Sequence, residues 1–113
     1  MRTALSISLA FASMIACGNS AGQGIWIEGT LDCGEWVAAR KAAMAQYYEH
    51  YLLGVLNGLS MGRRVDIWRI QDNKMSREQA YLWMDNYCQS NPLSNVLTGA
   101  VKLANERTDG AFR

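Results

Sequence analysis

Residues 76–92, SREQAYLWMDNYCQSNP, decide how this chain folds. Ser76 followed three residues later by Gln79 is a capping box, in which each side chain satisfies the other's backbone N–H at a helix start. Ala80, Trp83, Met84 and Tyr87 then fall on one face by the three-and-four spacing of a helix, which is expected to end around Cys88. Asn91 and Pro92 supply an N-cap and a proline at the first helical position, so a new helix is expected to start there. Leu93, Val96, Leu97, Ala100, Val101 and Ala104 form its apolar stripe, and Thr108-Asp109-Gly110 its stop. The stretch therefore reads as two helices joined at a tight corner, with a cysteine at the joint.

Working back toward the N-terminus, Asp32-Cys33-Gly34-Glu35 is a second capping box, followed by Cys33, Trp36, Val37 and Arg40 on one face. Residues 43–60 make the longest candidate helix, with Tyr48, Tyr51, Leu52, Val55, Leu56 and Leu59 in register and Gly62 as its stop signal. Lys41-Ala42-Ala43-Met44-Ala45 carries no punctuation, so the pattern leaves open whether these two helices are one rod. Residues 63–74 hold Val65, Ile67 and Trp68 without a sustained period and read as an ordered connection. No repeat or strand-period segment is present. The expected class is all-α, a small bundle of about four helices.

Gly54 and Gly58, one turn apart in YLLGVLNGLSMG, each cost a helix about 1 kcal/mol relative to alanine. The run is too short and too polar for a membrane dimerisation motif. A helix-packing groove filled by the small residues Gly99, Ala100 and Ala104 of the last helix is the expectation; a kink at one glycine is the alternative.

The first residues carry one charge at Arg2, an apolar run from Ala4 to Ala16 and then small residues, the plan of an export signal. Cleavage after Ala21 defines a leader of residues 1–21, an N-terminal arm of residues 22–30 and a helical domain of residues 31–113. The arm is expected to lay Trp26 on the domain. Met14-Ile15-Ala16-Cys17 offers a second reading, lipidation at Cys17, which would make the arm a tether and is the sole route to a membrane. The address is periplasmic under either reading.

Export also resolves the odd count of three cysteines. Cys17 is removed or capped, leaving Cys33 and Cys88 in an oxidising compartment, where a disulfide leads over two buried thiols. Removing the leader takes away one of 11 basic residues and none of the 10 acidic ones, so the rest is formally neutral with His50 uncharged. That balance carries no nucleic-acid footprint. Enzyme signatures are equally sparse: one histidine, no metal-ligand cluster, no phosphate-cradling loop, and no spacing that pairs Asp66 with Asp85. No catalytic residue, metal or cofactor is expected. Asp85 near a helix C-terminus faces an unfavourable dipole and calls for a cation such as Arg63, Arg64 or Arg69.

The cysteine opening the first helix, Tyr51-x-x-Gly54-x-x-x-Gly58 in the second, and Trp83-Met84-Asp85-Asn86-Tyr87-Cys88-Gln89-Ser90-Asn91-Pro92-Leu93 resemble the HdeA-like and Tai-type immunity group of small exported bacterial proteins. The likeness covers roughly residues 31–104. It implies a compact helical domain with one disulfide between Cys33 and Cys88, a periplasmic location and no enzymatic activity. Some members are acid-activated chaperones and some neutralise effectors of type VI secretion. Four tryptophans and five tyrosines depart from the HdeA proteins proper, which are poorer in aromatics, and this favours a protein-binding, immunity-like role over an acid-stress chaperone, with an envelope structural lipoprotein third. Arginine and tryptophan anchor protein interfaces, so Arg63, Arg64, Trp68 and Arg69 are the expected partner-binding residues, with Trp68 folded on the core as the alternative. A homodimer is left open.

The disulfide is the most exposed of these expectations. A loop of 55 positions implies about 4 kcal/mol of stabilisation in the chain-entropy model, so Cys33→Ser should lower the unfolding free energy by that order under oxidising conditions. An unchanged denaturation midpoint would contradict the bridge.

Overall fold

The computed structural model describes residues 24–113; the leader and Cys17 lie outside the described residues. The described chain is helical, with α1 over Cys33–Lys41, α2 over Gln46–Arg63, α3 over Arg77–Ser90 and α4 over Val96–Thr108. Both capping boxes form. Asp32 accepts from the Glu35 backbone N–H at 2.7 Å while Glu35 accepts from the Asp32 N–H at 3.0 Å, and Ser76 and Gln79 make the same reciprocal pair. These local bonds fix where α1 and α3 begin, because they satisfy backbone donors that have no partner inside the helix.

Cys33 and Cys88 are joined by a disulfide, with Cα atoms 4.8 Å apart and both residues buried. The bond ties the first turn of α1 to the last turns of α3. Around it the core gathers Trp36, Leu52, Leu56, Ile67, Met84 and Val96, all wholly buried. Helix α2 packs on α4, α4 on α3 and α3 on α1. The two N-caps Asp32 and Asn95 lie side by side as an isolated antiparallel bridge, in which Cys33 N–H donates to Ser94 O at 3.0 Å and Val96 N–H to Leu31 O at 2.8 Å. Helices α1 and α4 thus start from one shared strut.

Helices α1 and α2 are separate. The chain turns at Ala43, which takes a left-handed backbone at φ 54°, a conformation costing a non-glycine residue about 1 kcal/mol. Propensity favours helix through these alanines; the return of α2 across the bundle overrides it. Gly62 does not stop α2. The helix runs on to Arg63 and closes with Arg64 in the left-handed region at φ 55°, its N–H donating to Ser60 O. The corner after α3 also differs from expectation. Asn91 caps the end of α3, Pro92 and Leu93 form the turn, and α4 starts from Asn95, which accepts from the Thr98 N–H at 2.8 Å. Leu93 is consequently fully exposed rather than part of the stripe.

The connection after α2 contains a short antiparallel hairpin, β1 over Arg69–Ile70 and β2 over Asn73–Lys74. Strands of two residues leave no alternating pattern to find in sequence. The arm differs as well: Trp26 is 84% exposed and donates its indole N–H to Glu28, so it lies on no domain surface.

The glycine groove is overturned. Gly54 and Gly58 face outward, and a Cβ built on either meets nothing within 4 Å. The expected neighbour was right, since α2 does pack on α4, but the face of α2 that is buried carries Leu52 and Leu56 and not the glycines. The glycine that permits close approach is Gly99 on α4, where a Cβ would come within 2.7 Å of the Tyr87 ring and 2.8 Å of Met84 Sδ. Gly58→Ala should therefore stabilise the protein by about 0.5–1 kcal/mol in chemical denaturation, whereas Gly99→Ala should cost about 1–3 kcal/mol through overpacking. The reverse order would restore the groove.

Candidate partner-binding surface

Two guanidinium groups organise the polar parts of the molecule, and neither was singled out by sequence reasoning as doing so. Arg40, in the last turn of α1, reaches α3 and α2 at once. Its Nε and Nη2 donate to Asp85 Oδ1 and Oδ2, each at 2.9 Å, and its Nη1 donates to Glu49 Oε1 at 2.6 Å. Asp85 also accepts the buried Trp36 indole N–H at 2.8 Å. The Arg40 guanidinium lies 5.9 Å from the Trp36 ring centre and 5.7 Å from that of Tyr81. The hydrogen bond to Asp85 is the main reason Arg40 holds its proton more tightly than usual, against the opposing cost of burial. Burial raises the Tyr81 phenol above its ordinary value. Asp85 thus has the cation its position demands, but it is Arg40 rather than Arg63, Arg64 or Arg69.

Arg107 on α4 does the corresponding work for the hairpin. Its Nε donates to Ile67 O at 3.1 Å, its Nη1 to Asn73 Oδ1 at 3.2 Å and its Nη2 to Asn73 O at 2.9 Å. Asp66 accepts from the backbone N–H groups of Trp68 and Arg69, each at 2.9 Å, which fixes the turn leading into β1. Trp68 is half-buried against the core, and its indole N–H donates to Asn57 Oδ1 at 2.8 Å. One side of Trp68 is thus packed on the core while the rest of the side chain stays open to solvent.

What this scaffold presents outward is charge. Arg63 and Arg64 end α2, and the hairpin register sets Arg69 directly opposite Lys74. All four side chains are exposed, and among the described residues none has a carboxylate within 4.0 Å. Like charges opposite one another across a strand pair destabilise it, so this register is held against its own electrostatics by Arg107 and Asp66. Arg63, Arg64 and Arg69 were legible as neighbours along the sequence; Lys74 is set beside Arg69 only by the hairpin.

The remaining chemistry-bearing residues lie apart. His50 is exposed on α2, Asp66 and Asp85 are engaged as described, and among the described residues no group of three or more His, Cys, Asp or Glu could hold a metal ion. No helix of the described residues is long and apolar enough to cross a membrane. No family model, curated protein or solved structure matches the chain.

The Arg40 clamp makes a sharp prediction. Asp85→Ala leaves the Trp36 indole without its acceptor and Arg40 with one partner, and should cost about 2–3 kcal/mol in urea denaturation with the disulfide intact. Glu49→Gln, which keeps an oxygen for Arg40, should cost under about 1 kcal/mol. Equal losses would mean that the bond to Asp85 has no special weight.

Proposed function

We propose that this is a non-enzymatic, exported protein that binds another protein, in the manner of an immunity factor covering an effector, through the basic end formed by Arg63, Arg64, Arg69 and Lys74. The observation that carries the reading is the exposed Arg69 and Lys74 pair, two cations set opposite one another across the hairpin, neither with a carboxylate within 4.0 Å among the described residues. An acidic partner surface relieves that repulsion on contact, which converts a local cost into interface energy and speeds encounter by steering. Trp68 acts as the post under this surface, because its indole is packed and hydrogen-bonded within the molecule. The motif resemblance to the Tai-type group points the same way, and the disulfide suits an oxidising periplasm.

The acid-chaperone reading retains one supporting observation: Arg40 joins three helices through two carboxylates, a link that strong acid removes. Capture from a periplasmic extract separates the two. Wild type should retain a partner at low salt and release it in about 1 M salt, where charges are screened beyond about 3 Å. The variant with Arg63, Arg64, Arg69 and Lys74 all changed to Glu should retain none while melting as wild type does. An identical set of bound proteins from both would refute the basic surface, and apolar dye binding that develops reversibly only at pH 2 would favour the chaperone.

A further inference from the structure

We propose that a second site, on the other side of the hairpin from the basic pair, binds carbohydrate: a short run of neutral pyranose units laid against Trp83. Side chains alternate along a strand, so with Arg69 and Lys74 turned one way, Ile70 and Asn73 turn the other, toward α4. There they close one side of an open cleft of about 630 Å³, whose other side is Trp83 and Gln79 of α3 with Leu103 and Glu106 of α4. That size lies in the ordinary range of small-molecule sites, roughly 300–1,000 Å³.

The chemistry of the lining selects the ligand. Trp83 is held rigidly: its ring stacks on Tyr87 at 5.4 Å with 9° between planes, and its N–H donates to Glu106 Oε2 at 2.8 Å. Tyr87 covers one face of the indole, so what remains for the cleft is the opposite face and the rim. A fixed aromatic face matches the apolar C–H face of a pyranose, burying hydrocarbon without demanding charge. Beside it stand three amides whose N–H₂ groups have no acceptor among the described residues. Gln79 uses its oxygen to accept from the Ser76 N–H, Asn73 uses its oxygen to accept from Arg107, and Gln71 at the hairpin tip makes no hydrogen bond within the described chain. Planar amide donors of this kind suit ring hydroxyls and acetamido oxygens.

The same lining disfavours the obvious competitors. The guanidinium of Arg107 lines the cleft, but it already donates to the carbonyl oxygens of Ile67, Trp68 and Asn73 and to the Asn73 side chain, which leaves one of its five N–H groups for a phosphate or carboxylate. Glu106 places a negative charge at the wall, which further repels anions. A neutral, hydroxyl-rich ligand with one apolar face is the class that meets all of these groups together. The site is separate from the basic surface, so either can fail alone.

The test uses the oxidised full-length protein with cellobiose and N,N′-diacetylchitobiose as probes, followed by tryptophan fluorescence and calorimetry. Titration runs to roughly 10 mM, at which even a Kd of about 1 mM gives nine-tenths saturation. A saturable signal with at least one sugar is expected, weakened tenfold or more in Trp83→Phe, which can still stack on Tyr87. It should also weaken in Gln71→Ala, which alters only an exposed hairpin tip. No saturable binding of either sugar overturns the proposal. So does binding that both variants leave unchanged, or displacement of the sugar by inorganic phosphate or an acidic peptide.

Discussion

The bond between Cys33 and Cys88 is the constraint on which the rest of the molecule depends. Helix α1 has nine residues and buries only Cys33 and Trp36, far short of what an isolated helix needs to persist in water. Its first turn is therefore fixed covalently to α3, and its last turn is fixed electrostatically by Arg40 to Asp85 and Glu49. Between those two anchors Trp36 is driven wholly into the core with its indole N–H satisfied by the same Asp85. Loosening either end would leave a buried polar group without a partner, so the covalent and ionic links reinforce one another.

Helices α2 and α4 each give one face to the core and keep the other for surface features. Helix α2 contributes Leu52 and Leu56 to the core and leaves Gly54, Gly58 and Gly62 facing away from it. Helix α4 contributes Gly99, Ala100, Leu103 and Ala104 to the core and, from the next turn, Arg107 to the loop that follows α2. With Asp66, that arginine turns the thirteen-residue connection between α2 and α3 into a platform, with cations on one side of the ribbon and amides with an aromatic wall on the other. A small domain thereby carries two chemically distinct surfaces on one hairpin.

Much of the architecture was legible because the signals were local. Capping boxes at Asp32 and Ser76 depend on side chains three residues apart, and the stripes of α3 and α4 depend on periodicity, so both survive any tertiary arrangement. The pairing of Cys33 with Cys88 followed from arithmetic and compartment rather than from geometry. Readings that failed all required knowledge of what stood opposite. Gly54 and Gly58 looked like a groove because their spacing matched one, but spacing says which face they share and nothing of whether a neighbour covers it. Leu93 fitted the stripe of the last helix by period, yet the chain needed that residue to turn the corner. Trp68 had two readings in the sequence, and its indole bond to Asn57, eleven positions away, is a contact that no local pattern records.

Sequence by itself determined the class and the starts of α1 and α3, because capping bonds and helical period are set by near neighbours, and it made the Cys33 and Cys88 link the leading expectation by leaving two thiols to pair. Tertiary structure decided the rest: the break at Ala43 against its own propensity, the ending of α2 at Arg64 instead of Gly62, the choice of Arg40 for Asp85, and the hairpin that opposes Arg69 and Lys74. Each of these turns on which groups from distant positions come within hydrogen-bonding or Coulombic reach. That reach is a property of how the helices pack, and no period along the chain records it.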